Sequence, residues 1–419
     1  MSTTTQWKKG FLYEIATVVG GYAFRGEDFG SEGTAVIKIK DIQPPYVDIQ
    51  NAERIDQQKY NQQKIEKFKL SKGDCLVAMT GATIGKVGKI SYDEVSYLNQ
   101  RVAKVAEKRG VADKNFVYYA VLGSDFQRYV NTTSSGSSAQ QNISADDIGR
   151  FPIVYPIDIK DQCTIAQVLI SLDKKIELLR KQNETLEEMA RAIFNAWFVE
   201  FNFPDKDGKP YKASGGKMVD SEFGEIPEEW RVGTLAELID QLSERIGSDE
   251  QSKYTVMSAV NTGQLVPSSE YFTKQVFSKS ISKYIKIHQG DFAYNPARIN
   301  IGSIGRLREL ILGAVSPVYV AFRAKEGAGA FVDFLIQTAK MKKHIELYAN
   351  GSVRQTLDYD GFGAFSFAVP TENILKEFDK ITASLRNIFE RKEAQIENLR
   401  TVRDLLLPKL MSGEVRVNT

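Results

Sequence analysis

The sequence predicts a mixed α/β protein in which two similar domains, related by an approximate two-fold symmetry, are separated by two long antiparallel coiled-coil helices. Three observations indicate this fold: a length beyond one core, an internal repeat, and a heptad pattern at the end of each repeat. At 419 residues, the chain fits two domains of ordinary size. Hydrophobic residues at 42% and aromatic residues at 11% are typical of a folded globular protein.

The internal repeat consists of short segments that recur in the same order about 215 residues apart. Trp7 corresponds to Trp230 at the start of each copy. When Gly73 is aligned with Gly290, a Gly-Asp pair and a Gly-x-x-Gly pair coincide. Each copy ends in a short apolar strand closed by proline, so the repeated module is mixed α/β and a helix follows it. The matched segments are 70–90 with 286–307 and 134–156 with 349–370.

A long helical pattern follows each module. About 38 residues at 1.5 Å per residue would span roughly 57 Å, which is longer than most helices packed in one domain, so such a helix needs a partner. In the first helix the seam steps by fours and threes through Ile165, Leu169, Leu172, Ile176, Leu179, Asn183, Leu186, Ala190, Ile193 and Trp197. The second seam is predicted at Phe378, Ile381, Leu385, Ile388, Lys392, Gln395, Ile396, Leu399, Val402 and Leu406.

Polar residues near both midpoints, Asn183 and Lys392, are expected to fix the register of an antiparallel helix pair. The alternative is that each helix packs only on its own domain. Residues 200–228 are rich in Gly, Pro and charge without an apolar period, which indicates an exposed linker. The predicted boundaries are 1–158 for the first domain, 159–199 for the first helix, 200–228 for the linker, 229–371 for the second domain, and 372–419 for the second helix and tail.

Charge and cysteine usage narrow the class of protein. Fifty-five Lys and Arg residues against 53 Asp and Glu give a net charge of +2, so any positive surface for a polyanion must be gathered locally. Cys75 and Cys163 are far apart and the two histidines have no companion ligands, so we expect a reduced cytoplasmic protein without a metal site. The first residues lack the long apolar core of a signal peptide and no stretch of about 18 apolar residues occurs, so we expect neither secretion nor a membrane span.

Three strings resemble the specificity subunits of type I restriction-modification enzymes. They are NETLEEMA at 183–190 with FNAWF at 194–198, FGEIPEEW at 223–230, and LLPKLMSGE at 406–414. The resemblance covers essentially the whole chain. It implies two target recognition domains, each reading one half of a split double-stranded DNA target, with helices that set the unread spacer.

The resemblance also implies partners. The helices would dock two modification (methyltransferase) subunits, and restriction subunits would join through the complex. The chain itself would be non-catalytic and hold no cofactor, while S-adenosylmethionine, ATP and magnesium would be bound by partner subunits. Docking candidates on the helices are Met189, Phe194, Trp197, Phe198 and Leu407, which could equally be core residues.

Two loops in each module carry the residue types that read DNA. Amide and guanidinium side chains form bidentate hydrogen bonds to base edges, and glycine allows close backbone approach. In the first module the candidates are Thr80, Thr83, Lys86, Lys89, Ser137, Ser138, Gln140, Gln141 and Asn142. In the second they are Asn295, Arg298, Asn300, Ser303, Arg306, Ser352, Arg354 and Gln355. The lysines at 64, 67, 69, 72, 340, 342 and 343 could contact the phosphate backbone, or form a solvated face.

Motifs that resemble enzyme sites are incomplete. Residues 81–86, GATIGK, have three residues between the glycines where a phosphate-binding loop has four, and Val87 follows instead of Ser or Thr. Gln43-Pro44-Pro45-Tyr46 resembles an amino-methyltransferase signature, but Gln is the wrong length and a proline turn is the better interpretation. The carboxylates at 205 and 207 crowd into a few linker residues. Two rival hypotheses remain: a scaffold that binds protein, and a self-sufficient methyltransferase or nuclease.

Overall fold

The computed structural model describes residues 6–134, 141–248, 250–271, 278, 280–349 and 356–417. The chain divides into two units. Unit 1 comprises Met1–Arg180 and Glu393–Thr419, and unit 2 comprises Lys181–Lys392. Each of the two long helices is therefore divided between the units, and each unit contains one part of both.

Unit 1 contains a six-stranded sheet in the order β2-β12-β9-β10-β6-β5, a five-stranded sheet in the order β3-β7-β4-β11-β8, and the pair β1-β13. Its strands are β1 (Trp7–Phe11), β2 (Ala16–Gly20), β3 (Phe29–Gly30), β4 (Thr34–Ile37), β5 (Ile42–Gln43), β6 (Tyr46–Val47), β7 (Arg54–Ile55), β8 (Lys69–Leu70), β9 (Cys75–Ala78), β10 (Val87–Lys89), β11 (Ser96–Leu98), β12 (Val102–Glu107) and β13 (Pro152–Pro156). Its helices are α1 (Leu12–Ile15), α2 (Gln62–Ile65), α3 (Lys114–Leu122), α4 (Ser124–Thr133), α5 (Ala145–Gly149) and the first part of α6 (Ile159–Phe194).

Unit 2 contains an eight-stranded sheet in the order β17-β24-β21-β22-β19-β18-β23-β20 and the pairs β14-β15 and β16-β25. Its strands are β14 (Met218–Ser221), β15 (Gly224–Pro227), β16 (Arg231–Thr234), β17 (Ile239–Leu242), β18 (Thr255–Val260), β19 (Gln264–Pro267), β20 (Ile285–Ile287), β21 (Phe292–Tyr294), β22 (Ile304–Arg306), β23 (Gly313–Val315), β24 (Val320–Ala324) and β25 (Ser366–Val369). The helices are α7 (Ser268–Tyr271), α8 (Gly329–Leu335), α9 (Ala339–Ala349), α10 (Tyr359–Gly363) and α11 (Glu372–Ser412), whose last part lies in unit 1.

The sequence repeat is a repeat of fold. The strand order β2-β12-β9-β10-β6 in unit 1 is reproduced as β17-β24-β21-β22-β19 in unit 2. In both, a hairpin of two antiparallel strands is followed by one parallel neighbour, with Lys89 opposite Tyr46 and Arg306 opposite Gln264. The predicted mixed α/β fold with two similar modules is confirmed.

The second glycine of each Gly-x-x-Gly pair lies where this parallel neighbour comes close. A Cβ on Gly88 would lie 2.9 Å from the carbonyl oxygen of Tyr46, and one on Gly305 would lie 2.3 Å from the carbonyl carbon of Gln264. No side chain fits either position, because real Cβ atoms do not approach backbone this closely. Glycine therefore recurs there to let the strands pair.

Each module begins with the same local arrangement of a carboxylate. Glu14 accepts hydrogen bonds from the Lys8 ammonium at 2.6 Å and from the Phe11 backbone N–H at 3.0 Å. Glu237 accepts from the Arg231 guanidinium and, at 2.8 Å, from the backbone N–H of Thr234. In both modules the carboxylate closes the first turn after the opening strand, which satisfies a backbone donor that the short helix leaves free.

Aromatic and aliphatic side chains fill a separate core in each unit. In unit 1, Phe116 and Phe126 are fully buried against the sheet, and burying such a side chain stabilises the fold by about 1.5–3 kcal/mol. Cys75 on β9 lies in the same core, and its burial raises the pKa of the thiol to about 12. In unit 2, the rings of Phe292 and Phe322 stack with centroids 5.0 Å apart.

The long helices run antiparallel to one another within each unit. In unit 1, Asp173 of α6 accepts a hydrogen bond from Arg403 of α11 at 2.9 Å. Further along α6, Ile176 and Leu179 pack with Ile396. Later residues of α6 therefore contact earlier residues of α11, which means that the two helices are antiparallel. In unit 2, Lys392 donates to Gln182, while Phe194 lies 6.1 Å from Phe378 between ring centroids. The predicted antiparallel pairing is confirmed within each unit.

The seam predicted for the second helix is partly wrong. Ile388 and Val402 are exposed, whereas Thr382 is buried and Arg403 faces Asp173 of α6. Thr382 is satisfied inside its own helix, because its hydroxyl donates to the carbonyl oxygen of Phe378 at 2.8 Å. Apart from Lys392 and Gln395, the predicted seam followed apolar residues, but other polar side chains that find partners occupy part of the real one.

Residues 200–228 are not the exposed linker that their composition indicated. Phe203 and Ile226 are buried in the core of unit 2. The Phe203 ring stacks on Trp230 at 5.3 Å and on Tyr211 at 4.7 Å between centroids. Strands β14 and β15 form a hairpin in this segment. A few buried aromatic and aliphatic side chains therefore anchor a segment that is otherwise rich in polar residues.

Candidate nucleic-acid interface

In unit 1, strands β9 and β10 form a hairpin whose loop carries the first set of candidates. Its ends are held by two backbone hydrogen bonds, from Gly85 to Ala78 at 2.8 Å and from Ala78 to Lys86 at 2.9 Å. Gly85 has a φ of 78°, a left-handed conformation that favours glycine. The Gly-Lys pair therefore ends a tight hairpin loop, and residues 81–86 do not run from a strand into a helix as a phosphate-binding loop does.

The second predicted loop of unit 1 meets this hairpin. Ile143 donates its backbone N–H to the carbonyl oxygen of Met79 at 2.9 Å, and Gly81 donates to the carbonyl oxygen of Gln141 at 3.1 Å. Thr80 is buried and donates its hydroxyl to the same Gln141 oxygen at 3.2 Å. We call residues 79–86 with 141–143 the unit 1 loop junction.

Unit 2 repeats this arrangement between β21 and β22. Asn295 donates its backbone N–H to Ser303 at 3.0 Å across the loop, and Gly302 has a φ of 87°. Leu357 donates to the carbonyl oxygen of Pro296 at 3.1 Å, which is the counterpart of the bond from Ile143 to Met79. We call residues 295–303 with 356–357 the unit 2 loop junction.

Several candidate side chains are exposed at these junctions. Lys86, Gln141 and Asn142 are exposed in unit 1. Arg298 and Asn300 are exposed in unit 2. These five side chains present ammonium, amide and guanidinium groups, the chemistry that hydrogen-bonds to phosphates and base edges.

Other candidates are held inside the units. Thr80 and Ser303 are buried, and the Ser303 hydroxyl donates to the carbonyl oxygen of Ala259 at 3.3 Å. Thr83 and Asn295 are half-buried, and the side-chain oxygen of Asn295 accepts from the backbone of Ala297 at 3.1 Å. These four residues shape the loops. Ser137, Ser138, Gln140, Ser352, Arg354 and Gln355 lie outside the described residues.

Two basic candidates point away from the loops. Lys89 donates to the side-chain oxygen of Asn115 at 2.8 Å and lies 4.9 Å above the Tyr118 ring, and burial lowers the pKa of its ammonium. Arg306 lies 3.6 Å from Asp333 and 5.3 Å above the Phe292 ring. Each of these residues is the last of its strand, at the end of the hairpin opposite the loop. A role in reading bases is therefore not supported for them.

The candidates for partner docking are mostly core residues, the alternative that the sequence left open. Phe194, Trp197 and Leu407 are buried, and Phe198 packs its ring 4.7 Å from that of Phe331. Of these five candidates, Met189 alone is exposed, at 47%. Large aromatic residues at the end of a helix therefore indicated a core here, not a surface.

The basic runs are paired to different degrees. Lys69 lies 3.2 Å from Glu66 and Lys72 lies 2.7 Å from Asp93, as in a solvated face of mixed charge. The lysines at 64, 67, 340, 342 and 343 are exposed. Arg101 was missed by the sequence reasoning: it is exposed, and its carbonyl oxygen accepts from the Met79 backbone at 3.0 Å. No sequence pattern near Arg101 indicates that it lies beside the loop junction, because its position depends on the pairing of β12 with β9.

The described residues contain neither a metal-binding group of side chains nor a membrane-spanning helix. Across the described ranges, no group of three or more His, Cys, Asp or Glu side chains could hold a metal ion. Pro44 and Pro45 form the turn between β5 and β6, as the proline-turn interpretation predicted. Within the part of the chain that the structure describes, no helix is long and apolar enough to cross a bilayer.

The known proteins that this chain resembles in sequence are described in similar terms. A family model for the type I restriction modification DNA specificity domain matches residues 4–188. The chain is 25% identical over 347 residues to the type I restriction enzyme MjaIX specificity subunit of Methanocaldococcus jannaschii, covering 76% of this chain and 73% of that protein. It is 23% identical over 405 residues to the type I restriction enzyme HindI specificity subunit of Haemophilus influenzae, covering 83% and 87%.

A solved structure shares the fold. The crystal structure of the S subunit of a type I restriction-modification system from M. genitalium aligns with a TM-score of 0.56 and 16% sequence identity. The alignment covers 97% of this chain and 96% of that chain. The likeness of fold therefore extends well beyond the residues matched by the family model.

Proposed function

We propose that the chain is a specificity subunit of a type I restriction-modification system, as its similarity to the DNA specificity domain model and to curated specificity subunits supports, and that each unit reads one half of a two-part DNA target with its loop junction. The family is one of DNA recognition and not of enzymes. One observation carries the proposal: both units join the same two loops by an equivalent backbone bond, from Ile143 to Met79 and from Leu357 to Pro296.

Reading takes place in the major groove, where each base pair presents a distinct pattern of donors and acceptors. The Arg298 guanidinium suits the two acceptors of guanine, and the Gln141 and Asn142 amides suit adenine. Lys86 supplies charge toward the phosphate backbone, as does Arg101 beside the same junction. Different side chains at the two junctions give the two halves of the target different sequences.

The long helices set the number of unread base pairs and dock two modification subunits, through which restriction subunits join. Exposed apolar side chains on the helices support this role: Leu178, Val402 and Leu405 in unit 1, and Met189 and Ile388 in unit 2. Such residues on a long helix fit burial by a partner protein. S-adenosylmethionine, ATP and magnesium belong to the partner subunits.

A domain exchange tests the proposal. Residues 1–158 are replaced by the matching segment of a relative, and the complex reconstituted with the modification subunit methylates genomic DNA, which is then sequenced. We expect one half of the methylated motif to change and the other to persist. Loss of both halves, or an unchanged motif, would contradict a separate reading role for each unit. As a matched control, exchanging residues 229–371 should change the opposite half.

Two further measurements address the rival functions. Duplex binding with and without the modification subunit separates a DNA reader from a protein scaffold, since a scaffold shows no sequence preference in either state. The purified chain incubated with DNA, a labelled methyl donor and magnesium should yield neither methylated nor cleaved DNA. Either product would indicate a self-sufficient enzyme.

A further inference from the structure

Three arginines surround one buried carboxylate in unit 2. Asp333 of α8 is 4% exposed at its side chain, and one of its oxygens lies 3.1 Å from Arg308, 3.6 Å from Arg306 and 3.9 Å from Arg386. Arg306 belongs to β22, Arg308 follows it, and Arg386 belongs to α11. Three guanidinium groups thus share this carboxylate, and Asp379 is the other acidic side chain that lines the cavity beside them, so the arginines outnumber the carboxylates by one.

Part of the hydrogen-bonding capacity of the cluster is unused among the described residues. The Nε of Arg308 is buried and donates to no acceptor among the described residues. The pKa of Arg386 is lowered, first by burial and then by the charges of Arg308 and Arg306. The guanidinium groups are partly exposed, but an N–H that is buried without an acceptor costs free energy, and that cost falls when an anion binds beside it.

The cluster borders two cavities. One, of about 340 Å³, is lined by the charged side chains of Glu187, Arg191, Arg308, Asp333 and Arg386 and by the apolar side chains of Phe334, Leu385 and Phe389, among others. The other, of about 250 Å³, is lined by Arg306, Arg308 and Arg386 with two carboxylates, Asp333 and Asp379, among others. A site of this size, with apolar walls and a few convergent polar groups, is typical of small-ligand binding.

The corresponding place in unit 1 is built from different side chains. Aligning Phe116-Val117-Tyr118 with Phe331-Val332-Asp333 puts Tyr118 at the position of Asp333, and Lys89 lies at the position of Arg306. Lys89 has Asn115 and the Tyr118 ring as partners. Arg403, the nearby helix arginine, has two carboxylates, Asp173 at 2.9 Å and Asp404 at 2.8 Å. The arginine cluster is therefore not needed to build the module.

We propose that the cavity of unit 2 binds a small phosphate ester with an apolar or aromatic organic part, the class to which nucleotides belong. Arg308 and Arg386 hold the phosphate, because guanidinium groups form paired hydrogen bonds with phosphate oxygens. Phe334 and Phe389 contact the organic part. The site does not depend on the proposed DNA reading, since Arg306 ends β22 and Arg308 follows it, at the end of the hairpin away from the unit 2 loop junction.

The test is calorimetric titration of the purified full chain with adenosine monophosphate, inorganic phosphate and adenosine. We expect the nucleotide to bind at least tenfold more tightly than either of the other two, because each of those lacks one half of the ligand. The double variant R308Q/R386Q should lose at least tenfold in affinity for the nucleotide. R391Q, which removes an exposed arginine on the same helix, should bind as the wild type does.

Stability without ligand provides a second readout that separates a binding site from a purely structural cluster. R386Q removes one of three like charges and should unfold at an unchanged or higher denaturant concentration. A structural cluster would instead be destabilised. Circular dichroism of each variant verifies that it is folded.

Several outcomes would overturn the proposal: no binding of the nucleotide to the wild type at about 1 mM, equal affinity for the nucleotide and inorganic phosphate, or full affinity in R308Q/R386Q. Displacement of the nucleotide by a DNA duplex in the wild type would also overturn it, because the phosphate would then belong to the DNA backbone. Persistence of nucleotide binding in a chain that has lost DNA recognition would leave this proposal intact.

Discussion

Ile143 donates its backbone N–H to the carbonyl oxygen of Met79 over 2.9 Å, and this bond ties two loops that are far apart in the chain. Because both atoms belong to the backbone, the connection does not depend on which side chains the loops carry. The loops can therefore differ between modules while their relative position stays the same, as in the bond from Leu357 to Pro296.

Arg298 is the exposed guanidinium of the unit 2 loop junction, and Arg298→Ala should weaken recognition of one half of the target. Losing a bidentate contact to guanine costs about 1–3 kcal/mol of discrimination. Competition binding of the reconstituted complex to duplexes with single base changes in each half measures this. Arg391→Ala is the matched control. A uniform loss across all sequences would instead indicate a phosphate contact.

Gly305→Ala should destabilise the chain by about 1–3 kcal/mol, because its Cβ would meet the backbone of Gln264 at 2.3 Å. Gly88→Ala should act in the same direction in unit 1. Gly30 has open space where a Cβ would lie, so Gly30→Ala should change stability by no more than about 0.5 kcal/mol. Urea unfolding followed by fluorescence measures all three. Equal stability of the Gly305 and Gly30 variants would refute the steric explanation.

Asp291 is 1% exposed and receives two hydrogen bonds from the half-exposed Arg323, at 2.6 and 2.9 Å, and one from the His288 backbone at 2.7 Å. Arg323→Ala should cost about 2–4 kcal/mol, because it leaves a buried carboxylate without its counter-charge. Asp291→Asn should cost less, about 1–2 kcal/mol, since the freed guanidinium can reach water. A double-mutant cycle in urea tests this order. The reverse order would mean that the charge of Asp291 is not effectively buried.

Glu237 should make stability depend on pH in the acid range. Its pKa is lowered first by the hydrogen bond from Arg231 and then by that from the Thr234 backbone, relative to an ordinary value of 4.5. A lowered pKa in the folded state stabilises the fold above 4.5, and this contribution is lost as the pH falls through the folded-state value. Glu237→Gln should therefore be less stable than the wild type near neutral pH, and the difference should shrink on acidification. A difference that stays constant with pH would contradict this.

Part of this fold could be predicted from residues alone. The recurrence of Gly73 and Gly290, and of Gly-x-x-Gly, reflects backbone requirements that no other residue meets, so it survives where the rest of the sequence diverges. The heptad of the first helix is dominated by apolar residues, and its seam was correct at most positions. In these places the local pattern and the tertiary structure agree.

The remaining features depend on contacts between distant segments. The side chain of Arg306 is oriented by Asp333, and Arg403 lies in the helix seam because it pairs with Asp173. No local sequence pattern identifies either aspartate as the partner. Phe203 is buried because Trp230 is near it, although the surrounding residues are those of a loop. A polar residue in a seam, or an aromatic residue in a polar segment, cannot be interpreted without its partner.

The burial of Cys75 has a practical consequence for labelling. A thiol whose pKa is raised to about 12 has almost no thiolate at neutral pH and does not react with maleimide dyes. Cys163 is the one other cysteine of the sequence, so a Cys163→Ser background would accept fluorophores at chosen sites alone. Cysteines introduced at Lys86 and Arg298 would then report by energy transfer how far apart the two loop junctions are in solution, with and without DNA.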